Sequence, residues 1–145
     1  MSSTASARGT DKTMRVLVYS DDVNMRTQIK MAIGRRPAVG LPRVEYVECA
    51  TGPAVFQHLD RGDIDLVVLD AEAQPEGGLG IARQAKDEIY DCPPLLAIIA
   101  RRDDGWLATW SRADAVVSQP LDPMALASAV AGLMRRRMRP GLAVQ

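Results

Sequence analysis

The chain is 145 residues long, 47% hydrophobic and 25% charged, with a formal net charge of zero. That length suits one domain around a single core, and the zero net charge excludes a global field drawing it to nucleic acid or anionic membrane. No apolar stretch is long enough to span a membrane, and the N-terminus lacks a signal-peptide apolar segment, so a cytoplasmic protein with no direct membrane insertion is expected.

Residues 1–13 are small, polar and aperiodic, and are expected to form a disordered N-terminal extension. Arg15 to Tyr19 reads as a first strand that ends in Ser20-Asp21-Asp22. Val23 to Gly34 has helical spacing, with Met25, Ile29, Ala32 and Ile33 on one side, and acids just ahead of it suit a helix N-terminus. Arg35 to Pro42 reads as a loop. Val44 to Cys49 is a second strand, and Thr51-Gly52-Pro53 is a helix-start signal with Thr51 as cap. That helix stops near Arg61-Gly62. Ile64 to Asp70 is a third strand, an apolar run suited to burial on both faces that ends in a carboxylate. A helix follows over Gly78 to Glu88, then a strand over Leu95 to Ile99 and a short helix over Asp103 to Ala113. Ala115 to Ser118 is the fifth strand, and Asp122-Pro123 opens a last helix through Leu133. The domain is expected over residues 14–137, with a tail over 138–145. Cys49 and Cys92 have no metal-like spacing and read as reduced thiols.

Five strand–helix pairs in alternation predict an α/β fold: a doubly wound, five-stranded parallel sheet with helices on both faces. With strand order 2-1-3-4-5, strands one and three are neighbours at the switch point, where ligands bind. Asp21 and Asp70 then converge at one sheet edge, a plausible place for a hard divalent cation such as Mg²⁺. The alternative is that these acids cap the helices that follow.

Several features together resemble the receiver domain of bacterial two-component response regulators over about residues 14–137. They are Asp70 at the end of strand three, Gly78 eight residues later, Thr51-Gly52 at the second helix, Ala113-Asp114, and Gln119-Pro120-Leu121-Asp122-Pro123. The resemblance implies a flavodoxin-like fold with Asp70 at the phosphoaccepting position. It implies a Mg²⁺ site of Asp21, Asp70 and the carbonyl of Glu72, because the preceding acidic position is Ser20. Asp22 lies one step too late and begins the first helix.

Three further positions depart from the family. Ala100 stands where the family's Thr or Ser bonds the phosphoryl group, Gln119 where its Lys pairs with phosphate, and Val116 where its switch aromatic sits. A charge-assisted Lys–phosphate bond is worth roughly 1.5–3 kcal/mol and a hydroxyl bond about 0.5–1.5, of which Gln119 could return about 1. Turning a two-state element from mostly off to mostly on takes about 5.5 kcal/mol of differential binding. Phosphoryl transfer to Asp70 is not forbidden, but its coupling to a conformational change should fail.

On the receiver pattern, Trp106 takes a core-facing position on the fourth helix and Trp110 an outward one suited to a partner. Arg135, Arg136 and Arg137, also interface candidates, suit the negative end of the last helix or, as the sharper reading, attraction to a membrane or nucleic acid. His58 reads as a surface residue and Arg101-Arg102 as solvated charge. The function expected is a stand-alone degenerate receiver, not an enzyme, with no room for an output domain after the last helix. It would dock a protein partner through helix four, strand five and helix five, independently of phosphorylation. The short stand-alone receivers of actinobacteria are nearest in kind. One of them resembles a component associated with the respiratory NADH:quinone oxidoreductase, complex I, so the implied partners include that membrane-associated complex. The alternatives are a working phosphoacceptor, supported by Asp21 and Asp70, and a nucleotide-binding domain. No Gly-rich phosphate loop follows the first strand to support the latter.

Overall fold

The apolar runs of the sequence become one parallel sheet because each is long enough for a strand and is followed by a helix that returns the chain. The computed structural model describes residues 13–138, so the expected extension over residues 1–12 and the tail over 139–145 lie outside the described residues. The strands are β1 (Thr13–Tyr19), β2 (Arg43–Cys49), β3 (Leu66–Asp70), β4 (Leu95–Ile99) and β5 (Ala115–Ser118). Their order in the sheet is β2-β1-β3-β4-β5, all parallel, as the alternation predicts. The helices are α1 (Val23–Ile33), α2 (Gly52–Arg61), α3 (Gly78–Glu88), α4 (Gly105–Ser111) and α5 (Pro123–Met138).

Every residue of β3 and β4 is buried, because helices cover both faces of these strands. Side chains alternate across the sheet, so one face sends Val16, Val18, Val68 and Ile98 against α1 and α5, where Ile29, Ile33, Leu126 and Val130 meet them. The other face sends Leu17, Tyr19, Val67 and Leu69 against Val55, Leu59, Ile81 and Ala85 of α2 and α3. Each such aliphatic side chain contributes about 1.5–3 kcal/mol on burial, which holds the strand ends, and hence the site, in fixed register.

The helix starts follow the capping chemistry. Asp22 Oδ1 accepts from Asn24 N at 2.8 Å, Thr51 Oγ1 accepts from Ala54 N at 3.3 Å, and Asp122 Oδ1 accepts from Met124 N at 3.0 Å. Gly78 opens α3 for a different reason. A Cβ there would lie 2.7 Å from the Asp70 carbonyl oxygen and 2.8 Å from Leu69 Cβ, so only glycine lets α3 start against the end of β3.

Several elements differ from their sequence reading; β2, for one, begins at Arg43 rather than Val44. Thr13 is the first residue of β1, paired with Arg43, rather than the last residue of the extension. Met138 closes α5 rather than opening the tail. The third strand begins at Leu66, because Asp65 is spent clamping the edge: its Oδ2 accepts from Arg15 N and its amide donates to Arg15 O, both at 2.8 Å. The fourth helix is preceded by a 3₁₀ turn over Arg102–Asp104 and is only seven residues long. That shift in phase overturns the core placement of Trp106. Ala108 and Ser111 face inward, and Trp106, two residues or about 200° from Ala108, is 69% exposed. Trp110 is 47% exposed, as its outward reading requires.

Candidate functional site

β1 and β3 are adjacent, and their C-terminal ends bring Ser20, Asp21 and Asp70 to one edge of the sheet. Asp70 is 5% exposed and Ser20 fully buried, whereas Asp21 faces solvent. The buried carboxylate is satisfied from within the chain. Ser20 Oγ donates to Asp70 Oδ2 at 2.8 Å, and the amide of Glu72 donates to Asp70 Oδ1 at 2.8 Å. The Ser20 hydroxyl also accepts from Asp22 N at 3.1 Å, so it links the site to the cap of α1.

The loop after β3 is fastened to the end of β1 at two further points. Asp21 Oδ1 accepts from Gln74 N at 3.1 Å, and Tyr19 Oη donates to the Glu76 carbonyl at 2.5 Å. Burial, followed by the negative charges of Glu76, Asp21 and Asp70, pushes the Tyr19 phenol above its ordinary value, so the hydroxyl stays a donor. Arg26 closes the rim: its Nη1 donates to Ser20 O at 2.7 Å and its Nε to Glu48 at 2.9 Å. Sequence reasoning treated Ser20 only as a lost acid and did not single out Tyr19 or Arg26. The available signal was a hydroxyl at two successive positions where β1 meets the site.

Asp21 and Asp70 are the two carboxylates at this edge, and three of their four oxygens accept hydrogen bonds from within the chain. Among the described residues no three His, Cys, Asp or Glu side chains cluster closely enough to hold a metal ion. Glu72 enters the site through its amide.

Ala100 and Gln119 directly follow β4 and β5, at the same edge of the sheet as Asp70. Ala100 offers no hydroxyl, and Gln119 is exposed and, among the described residues, makes no side-chain bond to Asp70; its backbone amide donates to Ile99 O at 2.9 Å. Val116, 41% exposed, lines a groove of about 480 Å³ together with Arg102, Ser118, Gln119, Asp122 and Ala125. Trp106 and Trp110 stand exposed on α4. The Arg83 guanidinium lies 4.9 Å from the Trp110 ring centroid and its Nη1 donates to Trp110 O at 2.7 Å, which fixes that indole in place. Arg136 and Arg137 reach Asp114 and Asp91 of this chain at 3.8 and 3.7 Å, while Arg135 is exposed. His58 is half-buried, 3.9 Å from Asp63, rather than on the open surface. No helix among the described residues is long and apolar enough to cross a membrane.

No family model matches the chain. Response regulatory proteins from two strains of Mycobacterium tuberculosis are each 52% identical over 122 residues, covering 84% of this chain and 92% of theirs. Solved structures place the same fold in response regulators. A CheY-like receiver domain protein of Methanospirillum hungatei superposes with a TM-score of 0.69 at 16% identity, over 89% of this chain and 99% of that one. The response regulator TrrA of Thermotoga maritima, in complex with Mg²⁺ and beryllium fluoride, gives 0.67 at 25% identity, over 83% and 98%.

Proposed function

The chain belongs to the response regulator family, whose receiver fold it carries, and on that premise we propose that it is a degenerate receiver that works as a phosphorylation-independent protein–protein interaction module. The observation that carries this reading is the closed hydrogen bonding of Asp70, whose two carboxylate oxygens are taken by Ser20 Oγ and Glu72 N. In a site built from several acids, mutual repulsion favours a bound cation. Here a neutral hydroxyl replaces one acid, so the site is stable without a metal and poorly built to recruit one.

The output side supports the same reading. With Ala100, Val116 and Gln119 in place, chemistry at Asp70 has no hydroxyl, aromatic or cation through which to move β5 and α4. The α4–β5–α5 face is instead set in one state, with Trp106, Trp110 and Val116 exposed. An exposed tryptophan held by a neighbour, as Trp110 is by Arg83, is suited to anchor a protein partner, since less side-chain entropy remains to be lost on docking. An accessory subunit of a membrane-associated respiratory complex is one form of such a partnership.

Capture of partners by the tagged chain tests the proposal, with Asp70→Asn and Trp110→Ala run beside the unmodified protein. Capture of the same partner by Asp70→Asn, and its loss with Trp110→Ala, is the expected outcome. Capture abolished by Asp70→Asn, or dependent on a phosphoryl donor, would favour the working phosphoacceptor that the adjacency of Asp21 and Asp70 also permits.

A further inference from the structure

The helices on the two faces of the sheet are not equally closed. On one face α1 packs against α5; on the other α3 packs against α4, but α2 and α3 hardly touch. The space between them is a groove of about 300 Å³, lined by Pro53, Phe56 and Asp60 of α2, by Glu76, and by Gln84 and Glu88 of α3. Helical spacing makes it. Pro53, Phe56 and Asp60 recur at i, i+3 and i+7, and Gln84 and Glu88 at i and i+4, so each helix turns one stripe toward the other.

The charge of the groove is of one sign. Asp60, Glu76 and Glu88 stand exposed around it, and no Lys, Arg or His lines it. The cations of α3 are engaged on its other side, where Arg83 donates to Trp110 O at 2.7 Å and Lys86 pairs with Asp114 at 2.8 Å. Among the described residues, Asp60, Glu76 and Glu88 have no ion-pair partner. Nor are they close enough together to hold a metal ion. They form two poles instead. Glu76 lies at the start of α2, where a Cβ on Gly52 would collide with its carboxylate and Tyr19 Oη holds its carbonyl. Asp60 and Glu88 lie at the other end, late in α2 and α3, and Gln84 Nε2 donates to Glu88 Oε1 at 3.2 Å. From Gly52 to Asp60 the helix rises about 12 Å, with Phe56 midway.

We propose that this groove docks an extended basic segment of a partner protein, in which two Lys or Arg residues flank an apolar one at alternate positions. In an extended chain, residues i, i+2 and i+4 face the same way, and i to i+4 spans about 13 Å. The outer two then reach the acidic poles while the middle one meets Phe56 and Pro53. Charge selects this occupant: acids without a partner in their own chain attract a segment of opposite sign, and they repel nucleic acid and anionic membrane. α3 stands between the groove and α4, so this surface can be filled while the α4–β5–α5 face is occupied.

Fluorescence anisotropy of a labelled nonapeptide with arginine at its third and seventh positions and leucine at its fifth, titrated with the full chain, tests this. Saturable binding is expected, weakened at least roughly threefold by Glu76→Gln and by Glu88→Gln, as the loss of one exposed ion pair implies. Asp103→Asn, an exposed acid outside the groove, should leave it unchanged. Added salt should weaken it, as should moving the two arginines next to each other. Both glutamates are exposed and the substitutions isosteric, so unfolding curves should not move. No saturable binding, equal weakening by Asp103→Asn, indifference to the spacing of the arginines, or binding lost with Trp110→Ala would overturn the proposal.

Discussion

Replacing Ser20 with alanine removes two hydrogen bonds at the point where β1 meets the site. The bond to Asp70 Oδ2 is 2.8 Å long and ends on a carboxylate in a residue only 5% exposed. A bond to a charged group in such a setting is worth about 1.5–3 kcal/mol. The bond from Asp22 N, at 3.1 Å and partly exposed, adds about 0.5 kcal/mol. Water entering beside Asp70 returns a part, so Ser20→Ala should destabilise the fold by about 2–3 kcal/mol. At this chain length each kcal/mol moves the midpoint by about 3–4 °C, so Tm should fall by roughly 6–12 °C. Urea and thermal unfolding followed by circular dichroism at pH 7 measure it. Pairing the substitution with Asp70→Asn should show a coupling of about 1–2 kcal/mol. A loss below about 0.5 kcal/mol, or strictly additive effects, would refute the claim that Ser20 satisfies the buried carboxylate.

Placing the family's acid back is the complementary test: Ser20→Asp should lower stability in chelator and regain it in millimolar Mg²⁺, while the unmodified protein shows little response in the same thermal shifts. Gly78→Ala should cost about 1–3 kcal/mol in urea unfolding, because a Cβ would press on the Asp70 carbonyl at 2.7 Å and on Leu69. Hydrogen bonds from Lys30 and Arg26 hold Glu48 below the usual carboxylate range, so its contribution is present above the ordinary value and is lost as pH falls through the lowered one. Glu48→Gln should therefore flatten the acid side of the stability profile. Burial pushes the Cys49 thiol up to about 11, so at pH 7 alkylation of Cys49 in the native protein should be far slower than in urea, read by mass spectrometry.

The parts of the fold that were readable share one trait: a local pattern that tertiary contacts only reinforce. β4 and β5 run over the residues their apolar stretches mark, and α3 spans Gly78 to Glu88 as its spacing predicts. α4 was not readable, because in a seven-residue helix the 3₁₀ turn before it decides which residues face inward. Small Ala108 and Ser111 take the interior and the tryptophans are left outside. At the site, strand ends located Asp21 and Asp70, since topology alone brings them to one edge. What Ser20 does there was hidden, because a missing acid reads as a loss until the 2.8 Å bond shows the hydroxyl in its place. Tyr19 was hidden for a similar reason: its ring obeys the strand's apolar pattern, and only the fold reveals where its hydroxyl ends.

The most direct test of a module whose surface does not answer to Asp70 is a backbone amide NMR titration with Mg²⁺ and beryllofluoride. Resonances of α4 and β5, including Trp106, Trp110 and Val116, are expected to stay in place, with any change confined to the residues around Asp70. Saturable shifts that spread from Asp70 into β5 and α4 would contradict it.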